Sequence, residues 1–324
     1  MPAFIFDFGQ NRLDHPKRVR SLMTITIEDV VEKIDAWRGK PIDYQEMPGG
    51  ITNQNFRVNV DRQSFFVSIP GAHTEFLAVD RDNKYYNTMA AAAVGVGPRV
   101  VHHLPDCQVM VLEFIIGATM TPETMAAPGM PGRLAQILQK LHGGSRFLKD
   151  FNVFRLAEFY LRILDQNQWP VPADCRNRMT DQQRMERAVS RTGLPLVPCT
   201  NDLVAENIID DGQKLWLIDF DYSGNNDPCS ELGNACQELQ YNEDQYAELC
   251  AAYFGESHRH LLARMHLYAI MSDFIWTLWG AIQHKISNLD LDFREYAAGR
   301  WERALGLLDS NEFPQWLEDA GSED

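Results

Sequence analysis

No C-x-x-C pair occurs among the six cysteines, Cys107, Cys175, Cys199, Cys229, Cys236 and Cys250. Without a secretory signal, an even count in a chain of 324 residues is weak ground for disulfides. Reduced, mostly buried thiols and a cytoplasmic setting are the expectation. A basic excess is missing as well: 30 Lys and Arg face 45 Asp and Glu, a net charge of −15. Nucleic-acid binding, which needs a surface that neutralises phosphates, is therefore disfavoured, and an acidic surface suits a cationic partner. Long apolar runs are lacking too. The most apolar late stretch, 269–282, is short for a bilayer and carries Asp273, so no membrane span is expected. At the N-terminus a short apolar patch is broken by Asp7 and followed, not preceded, by basic residues, the reverse of a secretory leader. Residues 1–23 read as an extension, with Met23 as an alternative start. There are no internal repeats or low-complexity tracts. What is plentiful is core material: 45% hydrophobic and 10% aromatic residues exclude a disordered chain, and the length asks for two lobes.

Local patterns divide the chain. Ile27, Val30, Val31 and Ile34 recur at helical spacing behind a Thr24 or Thr26 cap. Phe56, Val58, Val60 and then Phe65, Val67, Ile69 alternate on either side of a turn at 61–64, a hairpin entered through Gly49-Gly50. A helix over 79–94 ends at the Gly95 to Pro98 breaker. Two further strands, 100–103 and 108–115, flank a turn at Pro105 and Asp106. From Leu134, Ile137, Leu138 and Leu141 onward the patterns are helical. The expected organisation is an α+β chain: a small antiparallel-sheet lobe over 24–115 and a mainly helical lobe over 116–324.

Chemistry concentrates between Cys199 and Glu238. Asn207 follows Asp202 by five positions; a turn at 210–212 and an apolar strand, Leu215 to Ile218, then deliver Asp219. Magnesium takes hard oxygen ligands such as Asn and Asp and keeps its other positions for waters and phosphates. A second Asp can accept the proton of a substrate hydroxyl. Any one of these residues reads more simply as a turn former. The combination, D-x-x-x-x-N with hydrophobic-D-F-D twelve residues later, outweighs that reading. Trp276 and Trp279, three apart, share a helix face, and spacing alone makes such a pair core before anything else.

The segment Thr200-Asn201-Asp202 through Asn207, with Asp219-Phe220-Asp221-Tyr222, resembles the catalytic loop and metal motif of protein-kinase-like phosphotransferases. The chain is similar in particular to the choline/ethanolamine kinase family, beside the aminoglycoside phosphotransferases. Gly49-Gly50-Ile51-Thr52-Asn53 resembles its phosphate loop and Glu113-Phe114 its hinge. Ser230-Glu231-Leu232-Gly233-Asn234 with Glu238, and Trp276 to Trp279 with Ile286-Ser287 and Tyr296, resemble its signature; the likeness spans roughly 24–305. The resemblance implies a protein-kinase-like two-lobe fold and transfer of the γ-phosphoryl of ATP, with Mg²⁺, to a small amino alcohol, choline before ethanolamine. Asp202 would be the catalytic base, and Asn207 and Asp219 the metal ligands. Gly49, Gly50, Thr52 and Asn53 would cover the phosphates, and Glu113 to Ile115 would present backbone to adenine. Tyr222, Trp276, Trp279 and Tyr296 would wall a cage whose π faces attract a quaternary ammonium, with Asn234 and Glu238 adding polarity and charge and Tyr241 a less direct candidate. The partners implied are the nucleotide, a cationic amino alcohol and, as one arrangement, a second copy in a homodimer.

Three positions depart from the family. Ser68 stands where it carries a phosphate-touching Lys or Arg, Lys84 where it carries the Glu paired with that cation, and Thr200 where the loop His stands. Ser68 with Lys84 reads either as a paired change, Lys84 reaching in to supply the charge, or as a degraded nucleotide site with Lys84 solvated. An active kinase, a kinase of another cationic or hydroxylated metabolite, and a pseudokinase that only binds are the competing functions. The three retained positions, Asp202, Asn207 and Asp219, favour an enzyme.

Overall fold

Thr26 opens the first helix in the computed structural model, which describes residues 25–71 and 74–322; the extension expected over 1–23 lies outside the described residues. The Thr26 hydroxyl accepts from the Asp29 N–H while the Asp29 carboxylate accepts from the Thr26 N–H, a reciprocal cap on α1 (Ile27–Lys33). Five antiparallel strands follow: β1 (Ile42–Met47), β2 (Asn53–Val60), β3 (Gln63–Pro70), β4 (Val100–Leu104) and β5 (Val109–Glu113), in spatial order β1-β2-β3-β5-β4. Asp61, at φ 55, makes the two-residue turn that sets Val60 opposite Gln63. β1 gives no sequence signal because it is a polar edge strand, held by its pairing to β2 rather than by burial. Ile27, Val30, Ile34 and Trp37 pack on Val58, Val67, Ile69 and Val111 to make the small lobe's own core.

The larger lobe begins with β6 (Ala118–Thr119), α3 (Pro122–Met125), α4 (Met130–His142), α5 (Val153–Gln166) and α6 (Met179–Val189). Four short strands, β7 (Val197–Cys199), β8 (Ile208–Asp210), β9 (Leu215–Leu217) and β10 (Gly224–Asn226), pair as β10-β7 and β6-β8-β9. Helices α7 (Pro228–Glu238), α8 (Glu243–Phe254), α9 (Arg259–Ile286), α10 (Phe293–Leu308) and α11 (Phe313–Asp319) complete it. The apolar stretch 269–282 is the middle of α9, a helix buried on every side at the centre of the lobe. Among the described residues no helix is long and apolar enough to cross a membrane. Gly233 lets α7 close on α9, since a Cβ there would lie 2.3 Å from the Met265 carbonyl oxygen. All six cysteines are free thiols, buried except for the half-buried Cys107.

The helix between β3 and β4, α2 (Arg81–Ala93), starts where Asp80 accepts from the Asn83 N–H. Although it lies within the first 115 residues, its surroundings bury Leu77, Ala91 and Val96 in the larger lobe's core. Asn83 donates to the Ser223 carbonyl (2.7 Å), Asn87 accepts from the Leu148 N–H (3.1 Å), and Lys149 pairs with Asp80.

Candidate active site

The catalytic loop, 200–207, hangs between β7 and β8 and is fixed from below. Glu231 of α7, 0% exposed, accepts from the Thr200 N–H (2.9 Å), the Thr200 hydroxyl (2.6 Å) and the Asn201 N–H (2.8 Å). Thr200, where the family's loop His is expected, thus still anchors the loop through its hydroxyl. Asn201 takes a left-handed φ of 60, held by its amide donating to the Tyr222 carbonyl and accepting from Asn226. Asn234 accepts from the Leu203 N–H (2.8 Å) and donates to the Ser272 hydroxyl (2.9 Å). The sequence placed Asn234 at the substrate; its side chain is instead spent tying the loop to α7 and α9. Asn207 donates to the Asp202 carbonyl (3.0 Å), which leaves its own carbonyl oxygen for other partners.

Asp219 follows β9 with φ 63, an unusual conformation for a non-glycine residue, and its side chain remains 36% exposed. Its Oδ1 accepts from the Asp221 N–H (3.1 Å). Asp221 points the other way and is almost buried. It accepts from the Thr52 hydroxyl (2.9 Å) and the Asn53 amide (3.0 Å), and faces Lys84 Nζ at 2.5 Å and Arg81 Nη1 at 3.3 Å. So Thr52 and Asn53, expected over phosphates, also lock the glycine loop to the metal motif by their side chains. That loop needs its glycines: Gly49 has φ +96, and a Cβ on Gly50 would sit 2.0 Å from the Asn53 carbonyl oxygen.

Charge crowding shapes the titration of these groups. Burial raises the Asp202 carboxyl well above the usual range, and Asp219, Glu238 and Asp221 add to it against the pull of Arg300. Asp219 is raised by burial and by Asp221. Burial would raise Asp221 too, but Lys84 and Arg81 outweigh it and hold the carboxyl at about 2.

Asp202, Asn207, Asp219 and Asp221 line a cavity of about 790 Å³ between the lobes, together with Tyr222, Glu238, Trp276, Trp279 and Tyr296. The glycine loop reaches it through Gly49, Ile51 and Thr52. The tryptophans that spacing alone made core do both jobs: they are buried in α9 and still form the wall. Trp276 stands edge-on to Tyr222 (5.0 Å) and to Trp279 (5.8 Å), and Trp279 to Tyr296 (5.8 Å). Trp279 Nε1 donates to the Tyr222 hydroxyl (2.8 Å), whereas Trp276 Nε1 is buried with no hydrogen-bond partner among the described residues.

Several expected residues lie off that wall. Tyr241 donates to the Met125 carbonyl (3.0 Å) and packs away from the cavity. Glu113, at the end of β5, donates its N–H to the Arg99 carbonyl, and its carboxylate holds Arg99; Ile115 follows in the half-buried link between lobes. Ser68 and Lys84 face a small gap with Arg81 and His103. Lys84 is not solvated: it is 7% exposed. Glu238 is on the wall, but Arg300 of α10 grips both its oxygens, and Arg300 and Arg303 also hold the fully buried Asp273. Glu231, Arg81, Arg300 and Arg303 are residues to which the sequence assigned no individual role. Glu231 had a signal in the signature segment; the arginines had none.

Residues 44–253 match the choline/ethanolamine kinase family. The chain belongs to that family. This choline/ethanolamine kinase family member is a small-molecule kinase with the protein-kinase-like two-lobe fold. Ethanolamine kinase 2 of Rattus norvegicus is 25% identical to it over 297 residues, covering 82% of this chain and 76% of the relative. Protein LicA of Haemophilus influenzae is 22% identical over 270 residues, covering 81% and 78%. The crystal structure of a choline/ethanolamine kinase family protein from Mesorhizobium loti superposes with a TM-score of 0.79 at 34% identity, covering 90% of this chain and 96% of that one.

Proposed function

We propose that this kinase transfers the γ-phosphoryl group of ATP to the hydroxyl of a small amino alcohol, choline ahead of ethanolamine. One juxtaposition carries the reading: Asp202, Asn207 and Asp219 line the same cavity as Tyr222, Trp276, Trp279 and Tyr296. Asp202 orients the acceptor hydroxyl and takes its proton as the new O–P bond forms and the β,γ-bridge bond breaks; a carboxyl raised by burial is a stronger base than an exposed one. The glycine loop at Gly49 to Asn53 covers the phosphates, and Glu113 to Ile115 present backbone groups to the adenine.

Magnesium fits the donors present. Asn207, its nitrogen already committed to Asp202, has its carbonyl oxygen left, and Asp219 has Oδ2 left. Asn207 and Asp219 would supply two oxygen donors to the ion and leave its other positions for phosphates and water. When bound, the ion would neutralise charge on the transferring phosphate.

Choline is favoured over ethanolamine by what the wall lacks. Of the carboxylates that line the cavity, Glu238 is spent on Arg300 and Glu295 is exposed. Aromatic faces attract a quaternary ammonium at about 0.5–2 kcal/mol each, while a primary ammonium would want free acceptors for its N–H groups. The test is ADP release by purified protein with Mg·ATP and choline, ethanolamine or no acceptor. Choline-dependent release that falls at least 10²-fold in Asp202→Asn, with ADP affinity kept, is expected from loss of a general base. Release that is independent of acceptor, or unchanged in the variant, refutes the reading.

A further inference from the structure

The cations that face the two carboxylates at the back of the cleft both come from α2. Lys84 Nζ lies 2.5 Å from Asp221 Oδ1 and 3.9 Å from Asp219 Oδ1, and Arg81 Nη1 lies 3.3 Å from Asp221. The strand that runs past them, β3, offers Ser68 there, buried and uncharged. Ser68, Arg81 and Lys84 border one small gap, and Arg81 Nε and Nη2 are buried with no hydrogen-bond partner among the described residues. A cationic group at this depth is retained only where negative charge meets it. Asp221 accounts for part of that charge. The half-exposed Asp219, 3.9 Å beyond, is where the proposed reaction brings the phosphates.

The helix that carries Lys84 is fastened to the larger lobe. Asn83, one residue before it, donates to the Ser223 carbonyl at 2.7 Å. Asn87, nearly one turn after it, donates to the Ser223 hydroxyl at 2.9 Å and accepts from the Leu148 N–H at 3.1 Å. Ala91 is buried in the larger lobe's core. The same helix also meets the sheet, Tyr85 stacking on His103 of β4 at 3.9 Å and Arg81 donating to Asn53 of β2 at 2.8 Å, so Lys84 sits where both lobes meet the Asp219 motif.

We propose that Lys84 is the cation of the nucleotide-phosphate subsite, supplied by α2 in place of a sheet-borne one. The inference rests on the kinase reading above. The phosphates would meet the ammonium directly, so the contact survives without metal. Selectivity for ADP over adenosine, measured by calorimetry in EDTA and again in Mg²⁺, reads it. Lys84→Met is expected to weaken ADP in EDTA by about tenfold to a hundredfold, the worth of a charge-assisted contact, and to leave adenosine within about twofold. Lys84→Met also strips Asp221 of its closest counter-ion. The charge-balanced Lys84→Met/Asp221→Asn variant is therefore run beside it, and its ADP selectivity in EDTA should be lost in the same way. ADP selectivity equal to wild type in EDTA, or a loss seen only with Mg²⁺, overturns the inference, because Lys84 would then serve only to order Asp221. An equal fall in adenosine and ADP affinity overturns it as well. Wild-type protein that binds neither ligand would remove the kinase reading itself; wild-type binding with unchanged variants removes only this inference.

Discussion

Replacing Arg300 with methionine keeps most of the side chain's volume against the Tyr296 ring, over which the guanidinium now sits at 4.9 Å, and removes only its charge. What it leaves behind is severe. Glu238 and Asp273 have side chains 4% and 0% exposed; Glu238 loses both its hydrogen bonds from Arg300, and Asp273 keeps Arg303 at 2.5 Å. Breaking a buried ion pair by deleting one partner costs about 3–5 kcal/mol. With an unfolding entropy of about 2.1 cal/mol/K per residue, roughly 0.7 kcal/mol/K for a chain of this size, Tm should fall by about 4–7 °C. The loss should also depend on pH. Burial already raises the Asp273 carboxyl against the opposing pull of Arg303 and Arg300, and losing Arg300 raises it further. A carboxyl whose folded-state pKa lies above its unfolded value binds protons preferentially in the folded state, so stability falls as pH rises through that window. The deficit of Arg300→Met should therefore be larger at pH 8 than at pH 5.5, and Glu238→Gln added to it should regain about 2 kcal/mol. Urea unfolding at the two pH values decides. A deficit below about 1 kcal/mol, or one equal at both pH values with no rescue by Glu238→Gln, would refute the claim that an uncompensated buried charge is the cost.

Three other outcomes follow from the site. Trp276→Leu should raise KM for choline by about 2- to 30-fold and KM for ethanolamine less, as expected for loss of one π face; equal effects on the two acceptors in steady-state assays would contradict the aromatic wall. Glu231→Ala orphans the Thr200 and Asn201 N–H groups and should cost about 3–5 kcal/mol, with kcat falling more than nucleotide affinity; a normal melt with normal turnover would show that the loop does not hang on Glu231. Gly233→Ala must push α7 from α9, where the Met265 carbonyl lies 2.3 Å from the new Cβ, and a Tm within about 2 °C of wild type would mean the helices part at little cost.

Much of this was legible from residues a few positions apart. The Thr26 cap, the hairpin over 53–70, the D-x-x-x-x-N loop and the shared face of Trp276 and Trp279 each rest on local geometry: hydrogen bonds within a turn, or side chains at periods of 2 and 3.6. The strand Ile42–Met47 was not, because an exposed polar edge carries no alternation. Asn234 was placed at the substrate because its family motif is contiguous with Glu238. One helical turn separates a residue that faces the cavity from one that faces the loop's backbone, and only the packing of α7 on α9 fixes which is which.

Local residue patterns are enough to set the lobes' composition, the order of the chemical groups and the family to which they belong. Tertiary structure decided how those groups are charged and held. The 62 positions between Glu238 and Arg300, and the 135 between Lys84 and Asp219, are closed only when helices dock, and no periodicity reports on them. A buried charge must find its opposite or lose its hydration uncompensated. That requirement, acting between α2 and the metal motif and between α10 and α7, set which carboxylates stay open to a ligand and which are already spent.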